Sequence, residues 1–288
     1  MTLASLSEAV ESVRRERIRG ARWSLYTIAR AVIEELEKGN ISCSNIGEVS
    51  ALVLSANRSM APLANLAYVL EEACSRGASL LQVVRRVMQH QQRSIELIRE
   101  FGHQLPVDAK IATISYSSSV EAVLLASADR KPHVTVLESR PGGEGAVLAS
   151  TLRDAGLRVK LLPDSMMYRA VEETDVVVVG ADAVTRDACL VNKVGTRQIA
   201  LLAGLYKKPV LAVFDLLKIH PETTCDTHPI EERSYMSPGY GPIRYPLFDK
   251  TEPSLISKAV TEKGIIDYEP DTLARLWRSV IDEIIAPG

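Results

Sequence analysis

Apolar positions recur at helical spacing through much of the first hundred residues. The spacing predicts three helices, over residues 18–36, 63–73 and 80–98. Gly39 and Asn40 follow the first of them as a C-terminal cap would, and Pro62 suits the first turn of the next. Because runs of β-branched residues are nearly absent here, we predict a helical domain over residues 1–105.

The pattern changes near Pro106, where short apolar runs begin to alternate with amphipathic segments. The runs predict buried strands over residues 111–114, 134–137, 159–162, 176–179 and 210–214. The segments between them predict helices over residues 120–128, 145–155, 166–170 and 196–206. Strands and helices that alternate at this spacing form a parallel sheet with helices on both faces. The sequence therefore predicts an α/β fold, with a Rossmann-like, doubly wound domain over residues 106–288.

The composition and charge argue against a disordered, membrane-bound or nucleic-acid-binding protein. Hydrophobic residues make up 46% and charged residues 24% of the chain, as is typical of a globular protein. The formal net charge of −2 gives no general attraction to nucleic acid or to an anionic membrane. No apolar run reaches the roughly 20 residues that span a bilayer, and the N-terminus lacks the apolar core of a signal peptide. We therefore expect a cytoplasmic protein that binds neither membranes nor, directly, nucleic acid.

The four cysteines, Cys43, Cys74, Cys189 and Cys225, form no C-x-x-C pair and fit no zinc-site spacing. The five histidines have no shared spacing for metal ligands either. We therefore expect no metal and no cofactor. Four free thiols in a reducing compartment are the expected state of the cysteines, with a structural disulfide as the alternative.

Ligands of doubly wound sheets bind beyond the carboxyl ends of the strands. The first predicted strand is followed there by residues 115–119, Ser-Tyr-Ser-Ser-Ser, and then by a helix. The free N–H groups of a helix N-terminus attract anions, and the hydroxyls of Ser117 and Ser118 would add donors to a phosphate. Ser118 and Glu121 also match a capping box, so helix capping alone is the alternative explanation.

Charged and amide side chains follow the other predicted strands at the same edge. They are Arg140, Asp182, Asn192, Lys193 and Lys218. Guanidinium and ammonium groups bind phosphate, and a carboxylate acts as a general base or binds sugar hydroxyls. A surface salt bridge of Arg140 and capping of a turn by Asp182 are the alternatives. The set suits an anionic, hydroxylated ligand such as a sugar phosphate, whereas the glycines after Arg140 form no dinucleotide fingerprint.

The segment GADAVTRDACLVNKVGT, residues 180–196, resembles the signature of one protein family. That family contains the α, β and δ regulatory subunits of translation initiation factor 2B, together with methylthioribose-1-phosphate isomerase and ribose-1,5-bisphosphate isomerase. Further matches, in the family's order, are Ile18-Arg19-Gly20-Ala21, Glu138-Ser139-Arg140-Pro141, Glu144-Gly145, Lys218, Tyr245-Pro246-Leu247-Phe248-Asp249 and Thr261-Glu262-Lys263-Gly264. These matches cover nearly the whole chain.

The resemblance implies a helical domain on a Rossmann-like domain, and homodimers through the C-terminal domain that sometimes form hexamers. It also makes translation initiation factor 2 a candidate partner. In the isomerases, a cysteine after the first strand and the aspartate of the G-A-D motif carry the proton transfers that convert a phosphorylated aldose into a ketose. By position, Asp182 matches that aspartate. The residues that match ligand contacts are Arg19, Gly20, Ala21, Arg140, Asn192, Lys193 and Lys218.

The sequence departs from the isomerase pattern at the cysteine, whose place is taken by Ser115. A thiol with an ordinary pKa of about 8.5 exchanges protons at neutral pH. A serine hydroxyl needs a base to activate it, and no histidine is adjacent in the sequence. In addition, Arg22 replaces a small residue beside the phosphate loop, and Ala188 replaces a turn glycine.

Three functions fit these observations. Phosphate contacts without the thiol predict a factor-2B-like protein, which binds a sugar phosphate or nucleotide phosphate as a regulatory or assembly ligand. Asp182, with Ser115 or a bound water in place of the cysteine, predicts instead an aldose–ketose isomerase of a ribose 1-phosphate derivative. A structural subunit with a vestigial pocket is the third alternative.

Overall fold

A computed structural model describes residues 3–16 and 18–286 of the chain. Within these residues, five α-helices precede the first strand: α1 (Ala4–Arg15), α2 (Ala21–Glu37), α3 (Ile46–Ala56), α4 (Ala61–Ser75) and α5 (Leu80–Arg99). Three of them, α2, α4 and α5, are predicted by the apolar spacing, whereas α1 and α3 are not. The predicted domain boundary between residues 105 and 106 follows α5 and stays a prediction. Its outer limits, Met1 and Gly288, lie outside the described residues.

Strands and helices alternate through the rest of the chain. The strands are β1 (Lys110–Ile114), β2 (His133–Leu137), β3 (Arg158–Leu162), β4 (Val176–Val179), β5 (Ala183–Val184), β6 (Leu190–Lys193), β7 (Val210–Val213), β8 (Glu232–Ser237), β9 (Gly241–Pro246), β10 (Phe248–Thr251), β11 (Lys258–Thr261) and β12 (Gly264–Ile266). The helices are α6 (Ser118–Ala126), α7 (Glu144–Asp154), α8 (Met167–Glu172), α9 (Thr196–Leu205) and α10 (Pro270–Ile285). Every predicted strand and helix is present within a few residues of its predicted limits.

The main sheet has seven strands in the order β12-β11-β7-β4-β1-β2-β3. All neighbours pair in parallel except β11 and β12, which are antiparallel. The chain winds outward from β1 through β2 to β3, and then in the other direction from β4, so the strand order reverses between β1 and β4. This arrangement confirms the doubly wound α/β fold. Folds of this kind bind ligands at the reversal, beyond the carboxyl ends of the strands.

The central strand β4 consists of four valines, and helices cover both faces of the sheet there. Val177 and Val179 of β4 belong to one buried cluster, which continues into α1–α5 and α8–α10. Val178 belongs to a second cluster, formed with α6, α7 and the end of α5. Successive side chains of a strand point to opposite faces of the sheet. A strand without polar residues is therefore buried on both faces.

Two smaller sheets lie beyond the main one. The strands β5, β6 and β10 pair in an antiparallel sheet, and β8 and β9 form a hairpin. No helix in the described part of the chain is long and apolar enough to cross a membrane.

The expectation of four free thiols is wrong, because the cysteines are paired. Cys43, just before α3, is bonded to Cys74 near the end of α4. Cys189, just before β6, is bonded to Cys225 in the segment after β7. The partners are 31 and 36 residues apart in sequence, and only the fold brings their Cα atoms to 5.5 and 5.3 Å. The spacing of the cysteines alone does not reveal which of them meet.

Candidate functional site

A cavity of about 470 Å³, here called the outer cavity, opens at the carboxyl ends of β1 and β4, where the strand order reverses. One wall is the sheet edge, and α2 and α5 form the opposite wall. The predicted site residues that line it are Arg19, Gly20, Ala21, Ser117, Ser118, Asp182, Asn192 and Lys218. Its volume is in the range of small-molecule sites.

A second, inner cavity of about 50 Å³ adjoins the outer one. The two cavities share Arg19, Gly20, Tyr116 and Asp182. The inner cavity is also lined by Ser115 and Lys193. The structure therefore brings together all of the predicted site residues but one.

Arg140 is the predicted site residue that the structure places elsewhere. Its side chain is exposed beside Gly143, and it lines neither cavity. Its backbone N–H donates to Oδ2 of Asp164 at 2.7 Å. The prediction relied on the position of Arg140 after β2, but β2 lies one strand away from the reversal between β1 and β4.

Asp182 lies between the end of β4 and the N-terminus of α2. The backbone N–H of Ala21, the first residue of α2, donates to its carboxylate. Burial raises the pKa of Asp182, although Lys218, the Ala21 N–H and Lys193 act in the opposite direction. A carboxyl group with a raised pKa exchanges protons closer to neutral pH, which suits general acid–base chemistry.

Ser115 follows β1 with a φ of 71°, in the left-handed region that residues other than glycine rarely adopt. Its backbone N–H donates to Oγ of Ser139 at 2.7 Å. Its own Oγ donates to Oε1 of Glu144 at 3.1 Å. Strain of this kind persists where surrounding contacts enforce it, and it is common at functional sites.

Glu144 is a member of the site that the strand-end pattern does not predict. Its Oε1 also accepts from Nζ of Lys193 at 2.9 Å, and both side chains are more than nine-tenths buried. Its Oε2 has no hydrogen-bond partner among the described residues. The carboxylate of Glu144 can thus act as a proton acceptor for Ser115, a role that no adjacent histidine fills in the sequence. Two features of the sequence point to Glu144: the family match at Glu144-Gly145, and its position as an acidic residue in the first turn of a helix.

The N-terminus of α6 faces the outer cavity through its serines, but its N-cap is Ser117 rather than Ser118. Oγ of Ser117 accepts from the backbone N–H three residues later at 3.5 Å. Glu121 instead accepts from the hydroxyl of Tyr116 at 2.9 Å, so the predicted capping box is wrong. A Cβ atom on Gly180 would lie 2.5 Å from Ser117 Oγ. The glycine therefore lets the end of β4 approach the start of α6.

The helical wall of the outer cavity presents side chains that the sequence motifs do not predict as ligand contacts, although Arg22 is noted as a departure from the family pattern. Its side chains are Arg22, Trp23, Tyr26, Met88, Gln91 and Gln92. Arg22 donates to Oε1 of Gln92 at 3.1 Å, so its guanidinium is directed along the wall. Gln91 has a recognisable signal in the sequence, because it is a polar residue on the buried face of α5 that contains Val84 and Val87.

Two buried histidines follow Lys218 in the chain. The rings of His220 and His228 meet edge to face, with their centroids 5.3 Å apart. The ring of His228 lies within hydrogen-bond distance of Thr223 Oγ1 and of the Ser59 carbonyl, at 2.8 and 3.2 Å. Burial lowers the pKa of both histidines to about 4.

We expect the protein to lose stability as the pH falls from 6.5 towards 4. Over this range the unfolded chain protonates both histidines, whereas the folded chain keeps them neutral. The loss is up to about 3 kcal/mol for each histidine. Thermal unfolding at a series of pH values measures it. His228→Gln should flatten the dependence, and His103→Gln, at an exposed site, should not. An unchanged dependence in His228→Gln would contradict this account.

Comparison with known proteins finds relatives along almost the whole chain. The model of the Initiation factor 2 subunit family matches residues 25–268. Ribose 1,5-bisphosphate isomerase of Methanocaldococcus jannaschii is 31% identical over 284 residues, which cover 91% of each chain. A putative translation initiation factor eIF-2B subunit 2-like protein of Pyrococcus abyssi is 33% identical over 268 residues, 90% of this chain and 95% of that protein.

A solved structure has the same fold. The crystal structure of translation initiation factor eIF-2B from Pyrococcus horikoshii OT3 matches with a TM-score of 0.83 at 29% identity. The match covers 91% of this chain and 96% of that chain.

Proposed function

The chain belongs to the initiation factor 2 subunit family, and from this premise we propose that it is an aldose–ketose isomerase of a ribose 1-phosphate derivative, with ribose 1,5-bisphosphate as the first candidate substrate. One observation carries the proposal: Asp182 and the hydrogen-bonded pair of Ser115 and Glu144 line the same inner cavity. The name of the Methanocaldococcus jannaschii relative describes the same reaction.

The reaction requires a proton donor and a proton acceptor, and no co-reactant. The bond between C1 and the ring oxygen breaks, and the ring oxygen takes a proton. The hydrogen on C2 moves to C1, and the C2 hydroxyl gives up its proton as the ketone forms. Asp182, with its raised pKa, takes one of these roles. The hydroxyl of Ser115, with Glu144 behind it, takes the other.

The charges around the two cavities suit a substrate with phosphate groups. The free N–H groups at the start of α6 favour an anion, and Ser117 and Ser118 line the cavity at that point. Lys218 lies in the wall of the outer cavity, Lys193 in the wall of the inner one, and Arg19 lines both. Ammonium and guanidinium groups in such walls compensate the charge of a phosphate.

An assay with purified protein tests the proposal directly. Ribose 1,5-bisphosphate and methylthioribose 1-phosphate are incubated with it separately, and the ketose is detected by proton and phosphorus NMR. Calorimetry measures the binding of each compound in parallel. We expect ribulose 1,5-bisphosphate from the first substrate. No product from either compound, in protein shown to be folded, would reject the isomerase function.

Ser115 favours a second function, because the family's isomerases have a cysteine at this position. In that function, the sugar phosphate or a nucleotide phosphate is a regulatory or assembly ligand and is not converted. Binding without turnover in the same experiment is the result expected of it. The homodimer or hexamer, the partnership with translation initiation factor 2 and the cytoplasmic location stay predictions.

A further inference from the structure

Asn65 of α4 is buried, and both the nitrogen and the oxygen of its amide are hydrogen-bonded. Nδ2 donates to the carbonyl oxygens of Leu217 and Ile219, each at 2.7 Å, and it lies 3.2 Å from that of Ala61. Oδ1 accepts from Nε1 of Trp277 at 2.8 Å. Because carbonyls only accept and the indole N–H only donates, these contacts allow a single orientation of the amide.

The two carbonyls that Asn65 binds lie on either side of Lys218, which lines the outer cavity. Lys218 is the last residue of a short 3₁₀ turn, Leu216–Lys218, that follows β7. At the start of the turn, the Leu216 N–H donates to both carboxylate oxygens of Glu262 at 3.1 Å. Side chains from outside the turn therefore fix its backbone at both ends.

The same helix also holds the backbone of Asp182. The N–H of Ala61, the first residue of α4, donates to the carbonyl oxygen of Asp182 at 3.2 Å. Asn65 lies four residues later, one turn along the helix. One helix thus binds the main chain at two places in the lining of the outer cavity, at Asp182 and around Lys218.

We propose that Asn65 is a positioning residue, which sets the place of the Lys218 ammonium relative to the Asp182 carboxylate by holding the main chain on both sides of the lysine. The inference rests on the proposed function, since it assigns both side chains to the phosphorylated substrate. Asn65 itself lines neither cavity. Its effect on the reaction is therefore transmitted through Lys218.

Asn65→Asp tests this role, because it keeps the shape of the side chain and replaces the donor with an acceptor. The new carboxylate oxygen would face two carbonyl oxygens, and the turn would move away. We expect kcat/KM for ribose 1,5-bisphosphate to fall about 30-fold, since small displacements of positioned groups have effects of this size. The limb of the pH profile that reports Asp182 should shift to higher pH, because Asp182 loses the cation that lowers its pKa most.

Two control variants separate positioning from a loss of stability. Trp277→Phe removes the indole N–H but leaves both bonds from Asn65 to the carbonyls, so kcat/KM should change less than about 3-fold. Val69→Ala shortens a buried side chain of the same helix, and it should lower the melting temperature without moving the pH profile. If Asn65→Asp does not fold, Asn65→Ala replaces it with the same expectations. Wild-type kinetics and an unshifted pH profile in the folded variant would overturn the proposal.

A crystal structure of the Asn65 variant tests the positioning role separately from the isomerase function. If the wild-type protein does not convert the substrate, the isomerase function fails, but the position of Lys218 still decides the role of Asn65. We expect the Lys218 ammonium to be displaced from Asp182 in the variant and to stay in place in Val69→Ala. A Lys218 that has not moved in the Asn65 variant would reject the inference, whatever the activity.

Discussion

Asp182→Asn should lower kcat for ribose 1,5-bisphosphate about 10³-fold, as expected for the loss of a general acid or base. The amide has nearly the same shape, and its oxygen can still accept the hydrogen bond from the Ala21 N–H. It cannot take or give a proton during the reaction. Steady-state kinetics with the purified variant measure the effect.

Binding of the substrate should survive this substitution. The variant removes a negative charge next to an anionic ligand, so calorimetry should give a Kd no weaker than that of the wild type. Asp187→Asn is the matched control, because Asp187 lies in the same region of the chain but lines neither cavity. An unchanged kcat in Asp182→Asn would exclude Asp182 from the chemistry, and lost binding would assign it to holding the ligand.

The parts of the fold that the sequence predicts are those in which one local pattern decides the structure. The four valines of β4 predict a doubly buried strand, and the observed limits agree with the prediction. The glycines, hydroxyls and charges after the strands predict the site, since parallel strands end at one edge. The two-residue strand β5 and the disulfides depend on contacts between distant segments, which no local pattern reveals.

Glu144 is part of the site, but the residues that follow the strands in the sequence do not predict it. A Cβ atom on Gly145 would lie 1.8 Å from the carbonyl oxygen of Leu137, so glycine is required for α7 to pack directly against the end of β2. This close approach brings Glu144, the first residue of α7, to Ser115 and Lys193. The motif was visible in the sequence, but the role of the glutamate depends on the packing distance between a helix and a strand.

Ser115→Cys should raise kcat about 10-fold to 100-fold if the wild-type protein is an isomerase. The ordinary pKa of a thiol is about 8.5, far below that of a serine hydroxyl, so a thiol gives up its proton more easily in the transition state. The sulfur would keep the place of the serine oxygen beside Glu144. Kinetics of the variant, with Ser118→Cys as a control in the outer cavity, measure the gain.

The same variant separates the two functions of the site. Turnover that appears only in Ser115→Cys would mean that the wild-type protein holds its ligand without converting it, because a single proton-exchanging group is absent. Turnover in the wild-type protein that Ser115→Ala abolishes would mean that serine replaces the thiol, with Glu144 as its base. A Ser115→Ala variant as active as the wild type would show that neither the hydroxyl nor its bond to Glu144 takes part. In that case the second proton must come from water or from another side chain of the inner cavity.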